Sequence, residues 1–163
     1  MSGLRFRNVD ADPADDVGTW PYEALVTAID RGLVPDWRPV LAEIRRSPWG
    51  PVARRVERYL GYRDPDGVST LFALAIDRAR KDVERADRAD VVSRVRAAVE
   101  RTGMTKAEFA ASVGTSASRL STYLSGKVIP SAAMLMRIER TADSRWSRGG
   151  GSIRSTYTGR LLG

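Results

Sequence analysis

"TKAEFAASVGTSASRLSTYLSGKVIPS", Thr105 to Ser131, sets short apolar clusters between residues that start and stop helices. Thr105-Lys106-Ala107-Glu108 has the form of a capping box, in which the first and fourth side chains satisfy each other's backbone N–H groups. A helix therefore opens here and carries Phe109, Ala110 and Val113 inward. Gly114 ends it, because glycine enters left-handed backbone at the least cost. Thr115 or Ser116 caps the following helix, which closes at Gly126. Pro130-Ser131 then opens another, with Met134, Leu135 and Ile138 inward. The spacing Ala110–Gly114–Leu120 meets the needs of two short helices that cross steeply. These are a small residue where the axes approach, a glycine at the bend and a branched apolar anchor on the second helix.

Val92, Val95 and Val99 give a preceding helix that stops at Gly103. With it, the stretch from about Asp90 to Thr141 resembles the helix-turn-helix DNA-binding domain of the phage Cro and lambda-repressor family, the Xre type. The resemblance implies that the helix over 116–125 lies in a DNA major groove and offers small donors and acceptors to base edges. That expectation accounts for its composition, since a helix so rich in Ser and Thr is neither a good core helix nor an especially stable surface one. By position in the family, Ala117, Ser118 and Thr122 fall where bases are touched, with Arg119 and Ser121 also outward. Arg119 has the chemistry for a bidentate contact to guanine O6 and N7, and equally for a phosphate. Lys106, Ser116 and Lys127 fall where the family grips the DNA backbone. Lys106 stands where family members often carry Gln, which suggests a charge contact there rather than base readout.

Charge supports a polyanionic partner. The chain of 163 residues has a formal net charge of +7, but residues 1–90 carry 15 Lys+Arg against 16 Asp+Glu, whereas residues 91–163 carry 12 against 4. The whole surplus, +8 against −1, lies in the part that contains the helix-turn-helix pattern. The absence of Cys and of His removes thiolate chemistry, the usual general base and the commonest metal ligand. Glu43, Glu57, Asp64 and Asp66 sit on expected surfaces and turns, so no catalytic site, metal or cofactor is expected. No apolar run of membrane-spanning length occurs and the N-terminus lacks the pattern of a signal peptide. The expected location is cytoplasmic, in a bacterium or phage host, associated with the nucleoid.

Elsewhere the signals are also helical, and the fold class expected is all-α. Residues 1–18 are polar and acidic and read as a disordered arm. Residues 19–67 read as a small helical domain. Thr19 caps a helix that ends at Gly32, a second begins near Asp36, and Ser47-Pro48 opens a third. Trp20, Trp37, Trp49, Tyr22 and Tyr59 are expected to pack this unit, and Asp64-Pro65-Asp66-Gly67 is a turn. Val68 to Thr102 contains neither Gly nor Pro, and residues 77–90 carry ten charges with opposite signs three and four residues apart. Residues 68–90 read as a connecting helix, with a break near Asp87–Asp90 favoured over an unbroken run to Thr102 of roughly 50 Å. Its seam Phe72, Ile76, Ala79, Val83 and Ala86 suits either a dimer contact or packing on its own domain. Residues 91–142 form the DNA-binding domain. Residues 143–163 read as a flexible basic tail, with two readings open: Arg145, Arg148 and Arg154 add DNA contacts, with Arg160 extending the charge, or the tail only aids solubility. Ile153, Tyr157, Leu161 and Leu162 of the tail offer a docking edge.

The function expected is a sequence-specific transcriptional regulator of double-stranded DNA, either a homodimer on paired half-sites or a monomer on an asymmetric site. Two alternatives assign a protein partner to the N-terminal domain. One is the antitoxin of a toxin–antitoxin pair, covering its toxin; the other is an activator or adaptor contacting RNA polymerase.

Overall fold

The structure, a computed structural model, describes residues 4–6 and 9–149, and every regular element among them is helical. The chain divides into two compact units, Met1–Glu84 and Arg85–Gly163.

In the first unit a single 3-10 turn, Val17–Thr19, leads into α1 (Tyr22–Arg31), α2 (Val34–Arg46), α3 (Pro51–Leu60) and the N-terminal part of α4 (Gly67–Thr102). Each of the first three helices buries one stripe: Ala24, Leu25, Ala28 and Ile29 from α1, Val40 and Ile44 from α2, and Val52, Ala53 and Val56 from α3. Phe72, Ile76 and Ala79 of α4 complete this core. Trp20 is buried with Phe6 edge-on against it, Trp37 stacks edge-on to Phe72 and donates Nε1–H to the Ala28 carbonyl, and Tyr22 meets Tyr59 in the same way. Trp49 stays exposed, with the Arg80 guanidinium over its ring.

Several local expectations need correction. Residues 1–18 were expected to form a disordered arm, yet Leu4, Phe6, Val9 and Ala11 lie against the core. Leu4 and Phe6, and Val9 and Ala11, alternate over only three residues each and are out of register with one another, too short a pattern to read as a helix or strand. Thr19 does not cap α1; its hydroxyl donates to the Asp16 carbonyl and Pro21 is the N-cap residue. Similarly α3 starts at Pro51 after Gly50, not at Ser47-Pro48.

The expected break at Asp87–Asp90 is also absent, since α4 runs without interruption from Gly67 to Thr102. Nothing in that stretch interrupts the ladder of backbone hydrogen bonds, and alternating charge favours a solvated helix over a new start at Asp87 or Asp90. The N-terminal end of α4 is well fixed: Asp66 Oδ1 accepts from Ser69 N at 2.7 Å while Ser69 Oγ accepts from Asp66 N at 2.7 Å. Arg63 adds an ion pair to Asp66 at 2.5 Å. Together these push the Asp66 carboxyl down to about 2, the Ser69 N–H first among the causes. The seam residues Phe72, Ile76 and Ala79 are spent on this unit's own core and offer no dimer contact, while Ala86 is exposed.

The second unit contains the C-terminal part of α4, α5 (Lys106–Ser112), α6 (Ala117–Leu124) and α7 (Ala132–Gly149). Val95, Ala98, Phe109, Ala110, Val113, Leu120, Tyr123, Ile138 and Ala142 form its core. α7 passes beyond Thr141, so residues 143–149, expected as the start of a flexible tail, are helical. The Arg101–Asp143 ion pair and the absence of Gly or Pro before Gly149 account for that. Arg154, Arg160, Ile153, Tyr157, Leu161 and Leu162 lie outside the described residues.

Candidate nucleic-acid interface

α5 is only seven residues long and depends on its caps. Thr105 N donates to Glu108 Oε2 at 2.8 Å and Glu108 N donates to Thr105 Oγ1 at 3.3 Å, the reciprocal pair the sequence specifies. The Thr105 hydroxyl, donating to Glu108 Oε2 at 2.7 Å, and after it the Thr105 N–H hold the Glu108 carboxyl below its ordinary range. At the other end Thr115 N reaches the Ala110 carbonyl and Gly114 N the Ala111 carbonyl, a Schellman closure around Gly114 at φ 73°. The chain re-enters a helix at once. Ser116 Oγ accepts from Arg119 N at 3.1 Å and α6 begins.

The crossing of the two helices follows from three buried positions. Ala110 and Leu120 are buried where the helices meet, and Phe109 fills the space behind them. α6 ends at Gly126, whose φ of 74° suits glycine, and a Cβ there would stand 3.1 Å from Val92 Cγ2.

Arginines finish these helix ends. Arg137 Nη1 donates to the Val113 carbonyl at 3.2 Å after α5. Beyond α6, Arg96 donates through Nε and Nη2 to the Leu124 carbonyl at 3.0 and 2.8 Å, and Arg88 Nη1 to the Gly126 carbonyl at 3.1 Å. Cations at C-terminal carbonyls also oppose the helix dipole. Part of the positive surplus read from the sequence is therefore structural. These roles are not legible in the sequence, because residue spacing along α4 and α7 does not say which neighbouring helix end each Arg meets.

What remains outward on α6 is the face the sequence singles out. Ala117, Ser118, Arg119 and Ser121 are exposed and Thr122 is half-buried, its hydroxyl donating to the Arg119 carbonyl at 2.7 Å. No acid occurs in the helix. A helix about 10–12 Å across with its side chains fits a major groove about 12 Å wide. Arg119 Nε donates to the Tyr123 hydroxyl at 3.2 Å, and Tyr123 is buried. The contact fixes one edge of the guanidinium and leaves the terminal nitrogens pointing elsewhere.

Lys106 and Lys127 are both exposed, at the start of α5 and just beyond α6. A groove of about 440 Å³ runs beside α6, with Arg96, Glu100, Lys106, Ser121 and Ser125 among its walls. Ser125 and Arg96 were not singled out from the sequence; the groove brings them beside Lys106. Ser116 is exposed and serves as a cap. Arg145 and Arg148 lie on α7 and border a different groove, with Ser112 of α5. Among the described residues no cluster of His, Cys, Asp or Glu could hold a metal ion, and no helix is long and apolar enough to cross a membrane.

Comparison with known families agrees with this geometry. Residues 95–144, less than a third of the chain, match the helix-turn-helix family model, so this segment is similar to helix-turn-helix domains of the Xre and lambda-repressor kind. In general terms the match supports a DNA-binding transcription regulator. No curated protein and no solved structure matches the chain.

Proposed function

We propose that the protein is a sequence-specific regulator that reads the major groove of double-stranded DNA with α6. The observation that carries this is the acid-free outer face of α6, with two exposed serines and one guanidinium, held on a buried apolar base by caps at both ends. Ser118, Arg119, Ser121 and Thr122 supply donors and acceptors to base edges, and Ala117 a methyl contact, for example to thymine. Arg119 reads guanine through its two terminal nitrogens while Tyr123 holds Nε.

Affinity comes from the DNA backbone. Lys106, Lys127 and the Ser116 cap region meet phosphates, and Ser125 joins Lys106 from across the groove beside α6. The regulator acts in association with the nucleoid, without a catalytic step. Binding to a pair of half-sites about 34 Å apart calls for a second copy of the chain, joined through a surface other than Phe72, Ile76 and Ala79.

Titration of a mixed-sequence duplex at several salt concentrations, followed by fluorescence anisotropy, tests the backbone contacts. Lys106→Ala and Lys127→Ala are each expected to reduce the log–log salt slope by about 0.9 and to weaken all sequences alike. An unchanged slope in both variants removes them from the interface.

A further inference from the structure

α7 is segregated by charge. Its two acids are already paired, Glu139 with Arg94 at 2.7 Å and Asp143 with Arg101 at 3.2 Å. On another side Arg137, Arg140, Arg145 and Arg148 border a groove of about 620 Å³, together with Ser112 of α5 and the hydroxyl-bearing Thr141 and Ser144 of α7. Among the described residues no carboxylate forms an ion pair with any of these four arginines. Arg137 binds the Val113 carbonyl, while Arg140 and Arg148 bind carbonyls of their own helix through Nε at 3.3 and 3.1 Å. Those bonds engage Nε alone, and Arg140 and Arg148 are both exposed where they line the groove. Glu108 senses the charge of Arg145 without an ion pair.

Four guanidiniums close together repel one another, and each is a planar fork suited to a carboxylate or phosphate. The groove is therefore complementary to a run of negative charge. Its position favours a protein partner over the DNA that α6 reads, which reassigns Arg145 and Arg148 from the DNA contacts expected of them as part of a tail. Lys106 and Ser112 lie on different faces of α5, six residues and so about 120° apart around the helix, and only Lys106 borders the groove beside α6. Arg140 to Arg148 stand about 12 to 24 Å along α7 from its first residue, next after the segment that carries Lys127.

We propose that the α5–α7 groove docks an acidic segment of a protein partner, with two or more carboxylates spaced along it. The site is separate from the base-reading face, and an acidic segment can occupy it whether or not DNA is bound.

The test uses the full chain and a labelled decaglutamate peptide, alone and after saturation with duplex DNA. Variant one is Arg140→Gln/Arg145→Gln/Arg148→Gln, all exposed positions; variant two is Arg119→Ala/Lys127→Ala. The first is expected to lose at least about tenfold in peptide affinity with its DNA salt slope unchanged; the second is expected to lose DNA binding and keep the peptide. Equal peptide affinity in wild type and variant one overturns the proposal. So does a DNA salt slope reduced in variant one, which assigns the groove to phosphates. Failure of wild type to bind any duplex counts against the proposed function alone, because the peptide arm without DNA stands apart from it.

Discussion

Tyr123 shows how much one side chain can carry. It is a core residue by burial, but its hydroxyl meets Arg119 Nε at 3.2 Å. The chemistry of Arg119 suits a base or a phosphate equally, and holding Nε at Tyr123 leaves the two terminal nitrogens for the proposed guanine contact. Tyr123→Phe retains the ring and removes the bond. It is expected to weaken guanine preference by about fivefold, the worth of a hydrogen bond near 1 kcal/mol, with the salt slope intact. Binding measured against duplexes with single substitutions checks this, and unchanged base preference removes Tyr123 as a positioning residue. Gly126 carries a second residue-scale prediction. Left-handed backbone costs a residue with a Cβ about 1–2 kcal/mol, and at Gly126 that atom also crowds Val92 at 3.1 Å. At Gly114 the nearest neighbour is the flexible end of Arg137, at 3.5 Å. Thermal melts should therefore find Gly126→Ala the less stable of the two alanine variants.

Among elements, those with strong local signals were legible. Thr105 and Glu108, Gly114, Ser116 and Gly126 mark α5 and α6 in the sequence, and each makes the bond or adopts the dihedral expected of it. The start of α1 was misplaced because Thr19 found a nearer partner in Asp16, a competition between local hydrogen bonds that residue type does not resolve. α4 was read as broken at Asp87–Asp90, since Asp is a good N-cap residue; inside a charged helix it serves as well for exposed surface. The cap that operates is Asp66, and it makes a pH prediction. Its carboxyl, at about 2, is depressed from an ordinary value of 3.8. Its contribution is thus present above about pH 4 and fades as pH falls from 4 toward 2. Asp66→Ala should melt a few degrees below wild type at about pH 6, and the gap should narrow steadily below pH 4. A gap independent of pH contradicts the assignment.

For the molecule as a whole, the all-α class and the helix-turn-helix were readable because helical periodicity, caps and charge all pointed the same way. The destination of the apolar seam on α4 was not. A 4-3-4-3 spacing is the same whether its partner is another chain or the same one, and only the packed core shows Phe72, Ile76 and Ala79 facing α1 to α3's apolar side chains. Nor does charge counting separate arginines that close helix ends, such as Arg88 and Arg96, from those left to meet a polyanion. The central claim belongs at this scale, because it joins a buried base, an outward face and a ligand. Selection of duplexes from a random pool at low ionic strength, with wild type and Arg119→Ala in parallel, tests it most directly. The account predicts an enriched motif for wild type and, for the variant, loss of preference at a guanine within that motif. Absence of enrichment, or the same motif with uniformly lower affinity in the variant, would contradict readout by α6 through Arg119.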